Sequence, residues 1–180
     1  FNYILDKKSK NDFYYEYSSL KLIEMEHARI TRRQAPNKSE LKKLKESYRN
    51  ILDDFGIKSE TVFTLTGYCE LLATNFNQEK LAVETLKNAI ENPQLTNYDV
   101  ALCKMQLAKI LIYLTDTWEA ILIYSQIEKE FPEDVIGQQA KFEKTKINYF
   151  KGDFEWAQNQ LKVLKKSTSK LIANNAMKLS

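Results

Sequence analysis

Residues 101–134 read ALCKMQLAKILIYLTDTWEAILIYSQIEKEFPED. Together with Val100, the residues Cys103, Leu107, Ile110, Leu111 and Leu114 recur at steps of three and four. That spacing puts them on one face of a helix over about 98–114. Thr115-Asp116-Thr117 turns the chain, and Asp116 with Glu119 has the spacing of a capping box that opens a helix over 117–131. Pro132 marks its end, because proline cannot continue a helix. The stretch is one pair of helices joined by a tight turn.

The pair is repeated. Ala120, Tyr124 and Ile127 of its second helix have counterparts in Ala82, Leu86 and Ala89, and again in Ala157, Leu161 and Leu164. Each set places a small residue, a large one four on and an apolar one three further on a single helix face. The small residue allows close helix approach and the large ones fill the gap. The period is 38 residues from Ala82 to Ala120 and 37 from Ala120 to Ala157. A helix pair of that length cannot bury both faces alone, so copies must stack.

Working outward, further helices are expected over 12–33 (Phe13, Tyr17, Leu20, Ile23, His27, Ile30) and from Asn37 to Phe55 (Leu41, Leu44, Tyr48, Ile51, Leu52). Ala35-Pro36-Asn37 separates them, and Asn37 with Glu40 is spaced as a capping box. Gly56 suits the left-handed position after a helix, and Ser59 is placed to cap the next, over 60–75. Helices over 135–151 and 154–166 meet at Gly152-Asp153. The expected organisation is a divergent helical region over 1–58, three helix pairs at 59–92, 98–132 and 135–166, and the first helix of a further, truncated repeat over 167–180. The chain begins at Phe1 and its apolar pattern runs on through Leu171, Ile172, Ala176, Met177 and Leu179, so it reads as part of a longer protein.

Composition agrees with an all-α chain. Only 4 glycines and 3 prolines occur in 180 residues, too few for a protein built of hairpins. Hydrophobic residues at 43% and charged residues at 28% match a globular domain and exclude wholesale disorder. The net charge of +3 selects no class of partner. No apolar run is long enough to span a membrane. Cys69 and Cys103 sit far apart in apolar patterns and read as small core residues without a disulfide.

These residues resemble the tetratricopeptide repeat (TPR) family. The best copy runs from Ala101 to Asp134: Leu107-Ala108 and Leu111 match the first helix, Ala120, Tyr124 and Ile127 the second, and Pro132 the closing proline. Gly152-Asp153-Phe154-Glu155-Trp156-Ala157 is similar to the family's Gly-Asp-Tyr-x-x-Ala turn. Departures are the longer period, Lys104 in place of a large apolar residue and Thr115 in place of the turn glycine. The stretch from Tyr124 to Phe154 also looks like TPR proteins of the Gram-negative cell envelope, including the lipoproteins of outer-membrane protein assembly. The resemblance implies a right-handed superhelix of antiparallel helix pairs, a bacterial periplasmic or envelope setting, and a non-catalytic scaffold that holds a partner in the groove lined by the first helices.

Chemistry that would suggest an enzyme is missing from the sequence. No glycine-rich phosphate loop, nucleophile elbow or cofactor motif occurs. The one histidine, His27, lies on an apolar stripe and reads as structural. Two candidate binding surfaces remain. If Ala101 and Gln138 open successive repeats, Lys109 and Lys146 fall at one point of adjacent first helices, with Met105, Tyr113 and Tyr149 beside them. In TPR proteins that point faces the groove, and lysines flanked by tyrosines suit an acidic, partly hydrophobic protein segment rather than a small-molecule substrate. The alternative is the basic stretch 29–49, in which Arg29, Arg32, Arg33, Lys42, Lys43, Lys45 and Arg49 would meet nucleic acid or another anionic surface.

Overall fold

The computed structural model describes residues 12–33, 36–167 and 169–180. Ala35, expected to break the first helix, and the side chain of Phe13 lie outside the described set. All regular structure among the described residues is helical. The helices are α1 (Phe13–Thr31), α2 (Lys38–Phe55), α3 (Val62–Asn75), α4 (Glu79–Ile90), α5 (Asn97–Tyr113), α6 (Thr117–Glu130), α7 (Val135–Phe150), α8 (Phe154–Leu164) and α9 (Lys170–Leu179). A 3-10 turn, Ser59–Thr61, precedes α3. None of these helices is long and apolar enough to cross a membrane. The chain divides into two compact units, Phe1–Asp99 and Val100–Ser180.

In the first unit, α1, α2 and α3 pack around Ile23, Ile30, Leu41, Leu44, Tyr48 and Leu71. Ile51, Tyr68 and Phe76 close over that cluster. The polar residues at its helix ends differ from expectation in two places. Asn37 caps α2 by accepting from the Ser39 amide, but Glu40 does not complete a capping box because its carboxylate is taken by Arg29 and Arg33. Ser59 opens the 3-10 turn instead of capping α3, and its hydroxyl donates to Asp99. Asp99 and Thr96 form a reciprocal cap at the start of α5: the Asp99 carboxylate accepts from the Thr96 amide and hydroxyl, while the Thr96 hydroxyl accepts from the Asp99 amide. Burial pushes the Asp99 carboxyl up, but the bonds from Ser59 and Thr96 outweigh it and hold it below its ordinary value.

In the second unit, α6, α7, α8 and α9 pack in succession, with Phe142, Leu161, Leu164, Ile172 and Ala176 at the centre. The α6–α7 turn is tight at the backbone level: a Cβ on Gly137 would stand 1.8 Å from the Phe131 carbonyl oxygen. Farther from the turn, Lys144 of α7 reaches back to Ser125 and Glu128 of α6. The two helices therefore run antiparallel.

The positions that recur in the sequence are buried in all three second helices. Ala82, Ala120 and Ala157 are fully buried, as are Leu86, Tyr124 and Ile127, with Ala89, Leu161 and Leu164 at most 2% exposed. Removing a leucine or isoleucine side chain of this kind from water contributes about 2–3 kcal/mol before the cost of ordering. The turns repeat as well. Asn77, Thr115 and Gly152 follow α3, α5 and α7 with positive φ of 51°, 64° and 96°. At the last two, the bonds Thr115 N to Ile112 O (3.0 Å) and Asp116 N to Leu111 O (2.9 Å) match Gly152 N to Tyr149 O (3.1 Å) and Asp153 N to Asn148 O (3.1 Å). This is the double bond of a Schellman cap, which satisfies the last carbonyls of the helix. Asp116 or Asp153 then begins the second helix at once.

Candidate functional site

The Schellman turns fix what each first helix presents at its C-terminal end. On α5 these are Lys109 and, one turn later, Tyr113; both are exposed, Tyr113 to 68%. Carried forward by 37 residues, the same positions on α7 are Lys146 and Phe150, and Phe150 is 76% exposed. The second helix adds another bare ring immediately after the turn, Trp118 on α6 and Phe154 on α8. These two pairs, α5–α6 and α7–α8, therefore each carry a lysine, an aromatic ring one turn on and a second ring across the corner.

The side chains around Lys146 hold one another. Its ammonium pairs with Glu143 at 2.8 Å and lies 5.7 Å from the centre of the Phe142 ring. Tyr149 is half-buried between two edge-on neighbours, Phe150 at 5.5 Å and Phe154 at 5.2 Å between ring centres. Edge-to-face packing at these distances satisfies the ring quadrupoles and stiffens the corner. On α5, Lys109 has no ion-pair partner among the described residues, so the charge of the α5 corner stands open to solvent.

Of the five residues read as groove positions, Lys109 and Tyr113 are at the surface, Lys146 and Tyr149 are half-exposed, and Met105 is 7% exposed. Met105 cannot touch a ligand without repacking. The exposed rings Phe150, Phe154 and Trp118 were not among the binding residues expected from the sequence. The signal for Phe150 was present: the 37-residue step that links Lys109 to Lys146 also links Tyr113 to Phe150, not to Tyr149.

The basic stretch of α1 and α2 is largely occupied. Arg29 and Arg33 both bind the Glu40 carboxylate, at 3.1 and 2.7 Å. Arg49 lies 3.7 Å from Asp53. Lys45 donates to Gln78 and stands 4.7 Å from the centre of the Phe76 ring. Such exposed pairs add little stability; Asp53 neutralises Arg49, whereas Glu40 offsets only one of Arg29 and Arg33, and Lys45 keeps its charge. Arg32, Lys42 and Lys43 remain as exposed cations.

His27 is bonded within the core. Its Nδ1 and the Tyr48 hydroxyl lie 2.8 Å apart, with the rings edge to face. Burial lowers the imidazole's affinity for a proton, with a smaller opposing influence from Glu70. Burial likewise pushes the Tyr48 phenol up, with Glu70 and Glu24 adding to it. Cys69 and Cys103 are both buried and neither forms a disulfide. Among the described residues no group of three or more His, Cys, Asp or Glu side chains is placed to share a metal ion. In comparisons with known proteins, no family model matches the chain, and no curated protein or solved structure matches it.

Proposed function

We propose that this chain is a non-catalytic protein-interaction scaffold of TPR type, a right-handed superhelix of antiparallel helix pairs that holds an acidic, partly apolar protein segment. The observation that carries the reading is the recurring corner, Lys109 with Tyr113 and Lys146 with Phe150, at equivalent points of successive first helices. A lysine beside a bare ring offers both charge and apolar area to one partner. Rings that cluster at the surface, as Phe150 and Phe154 do around Tyr149, give a partner contiguous apolar area. The resemblance of Tyr124–Phe154 to envelope TPR proteins makes the cell envelope the first place to search for the partner.

The test is the double charge reversal Lys109→Glu with Lys146→Glu, followed by recovery of native partners on the immobilised chain. A folded double variant should lose the partners that the parent recovers. Unchanged recovery would remove this surface from consideration and return attention to Arg32, Lys42 and Lys43, whose part a salt-dependent gel shift would then measure.

A further inference from the structure

A second surface lies within the unit Val100–Ser180. The last turn of α6, the first turns of α7 and the last turn of α8 enclose an open groove of about 840 Å³. That volume falls in the range of ligand-binding clefts, roughly 300–1,000 Å³. None of Lys109, Tyr113, Lys146, Tyr149 or Phe150 lines it. It therefore goes beyond the surface proposed above and does not depend on it.

The groove has a fixed floor and a charged lining. On the floor, the Glu128 carboxylate is shared by Lys141 at 3.5 Å and Lys144 at 2.5 Å. Lys144 also reaches the Ser125 hydroxyl at 3.3 Å. Of these two mostly covered lysines only Lys141 lines the groove, and Glu128 offsets its charge, so the surplus positive charge of the lining comes from Lys129, Lys162 and Lys166 against Glu133. One end is closed by the Ser167 hydroxyl, which donates to Gln138. Lys129 from α6 and Lys162 and Lys166 from the α8 side also line the groove, and all three are exposed. No carboxylate pairs with any of the three among the described residues, and Lys162 reaches only Asn159, at 3.5 Å. Glu133 is the single other acid of the lining. Val163, exposed on α8, adds apolar area to the lining.

We infer that this groove binds an extended acidic peptide segment, its carboxylates spaced to meet Lys129 on α6 and Lys162 and Lys166 on the α8 side. The lining chooses among anions. It contains no aromatic side chain, so nucleic-acid bases would have nothing to stack on. It contains no arginine, the side chain that grips phosphate in a fixed two-point geometry. It is concave and carries no tryptophan or tyrosine, unlike surfaces that lie on lipid headgroups. Flexible lysines with apolar area in the same lining suit carboxylates on a chain that also carries aliphatic residues.

The experiment uses the whole 180-residue chain and a fluorescein-labelled peptide of glutamates with leucine at every fourth position, followed by fluorescence polarisation. The parent should bind with an affinity that falls steeply as salt rises. The triple variant Lys129→Glu, Lys162→Glu, Lys166→Glu should lose at least tenfold in affinity at unchanged helicity, and the milder set Lys→Gln at the same positions should lose less. The double variant Lys38→Glu with Lys80→Glu, at exposed positions outside this groove and outside the corner surface, should bind this peptide as the parent does, which shows that the loss is not one of net charge. Equal binding by the triple variant, or loss in the double variant alone, would overturn the assignment. So would tighter engagement of the three lysines by inorganic phosphate, by a single-stranded oligonucleotide or by phosphatidylserine vesicles than by the peptide.

Discussion

Thr115 and Gly152 hold the same place in successive helix pairs, each the left-handed residue that follows a first helix, at φ 64° and 96°. One is free of a Cβ and the other is β-branched, the type of side chain that tolerates this conformation least. The same two backbone bonds cap the helix at both, and Thr115 adds a local bond from its hydroxyl to the Leu114 carbonyl at 2.6 Å, so the difference between them is backbone strain set against that one bond.

Thr115→Gly should therefore stabilise the fold by about 1 kcal/mol, and Gly152→Thr should destabilise it by about 1–2 kcal/mol. Urea midpoints of the two variants against the parent measure both. A shift in the same direction for the two would show that the turns are not equivalent.

Ala120 and Ala157 are fully buried. Replacing either with leucine should cost about 1–3 kcal/mol through overpacking. Leu122→Ala, at an exposed position of the same helix, should change the melting temperature little.

Tyr124 is fully buried, and its hydroxyl has no hydrogen-bond partner among the described residues. Burial, with Glu143 behind it, pushes the phenol up, so it stays protonated. An orphaned buried hydroxyl costs about 1–3 kcal/mol, so Tyr124→Phe should leave stability unchanged or raise it by about 1 kcal/mol. A clear loss in thermal denaturation would reveal a bond to that hydroxyl.

Acid should act in two stages. The folded state holds His27 below its ordinary value of 6.5, so the unfolded chain binds the proton more readily and stability falls as pH drops below 6.5. Asp99 is held below its ordinary 3.8, so the stability it contributes is complete above that value and is lost as pH falls further. Urea titrations at about pH 7.5, 5.5 and 3.5 should show both losses, and His27→Gln should flatten only the first.

Much of the fold was legible because periodicity is a property of the chain itself. The stripe in 101–134 and its copies at 82–89 and 157–164 located the helices to within a few residues at their ends. Polar partners were less legible. Glu40 stands where a capping box would use it, yet two arginines compete for the same carboxylate and take it. Ser59 stands where a cap would form, yet Asp99, 40 residues away, claims its hydroxyl. Exposure was harder still. Met105 and Tyr113 share a helix and a register, but which of them meets solvent depends on packing that spacing alone does not carry. The groove flanked by Lys129 and Lys162 unites three helices, and no linear pattern joins them.

The contact of Gly137 with the Phe131 carbonyl has a mechanical consequence. Where side chains separate two helices, small changes of rotamer let the angle between them drift. Here backbone meets backbone, and no rotamer exists to adjust. The α6–α7 corner is accordingly the stiff joint of its unit, and compliance is left to the junctions of α7 with α8 and of α8 with α9. Pulled from its ends, this half of the chain should open from the α9 side first, with the α6–α7 elbow the last element to give way.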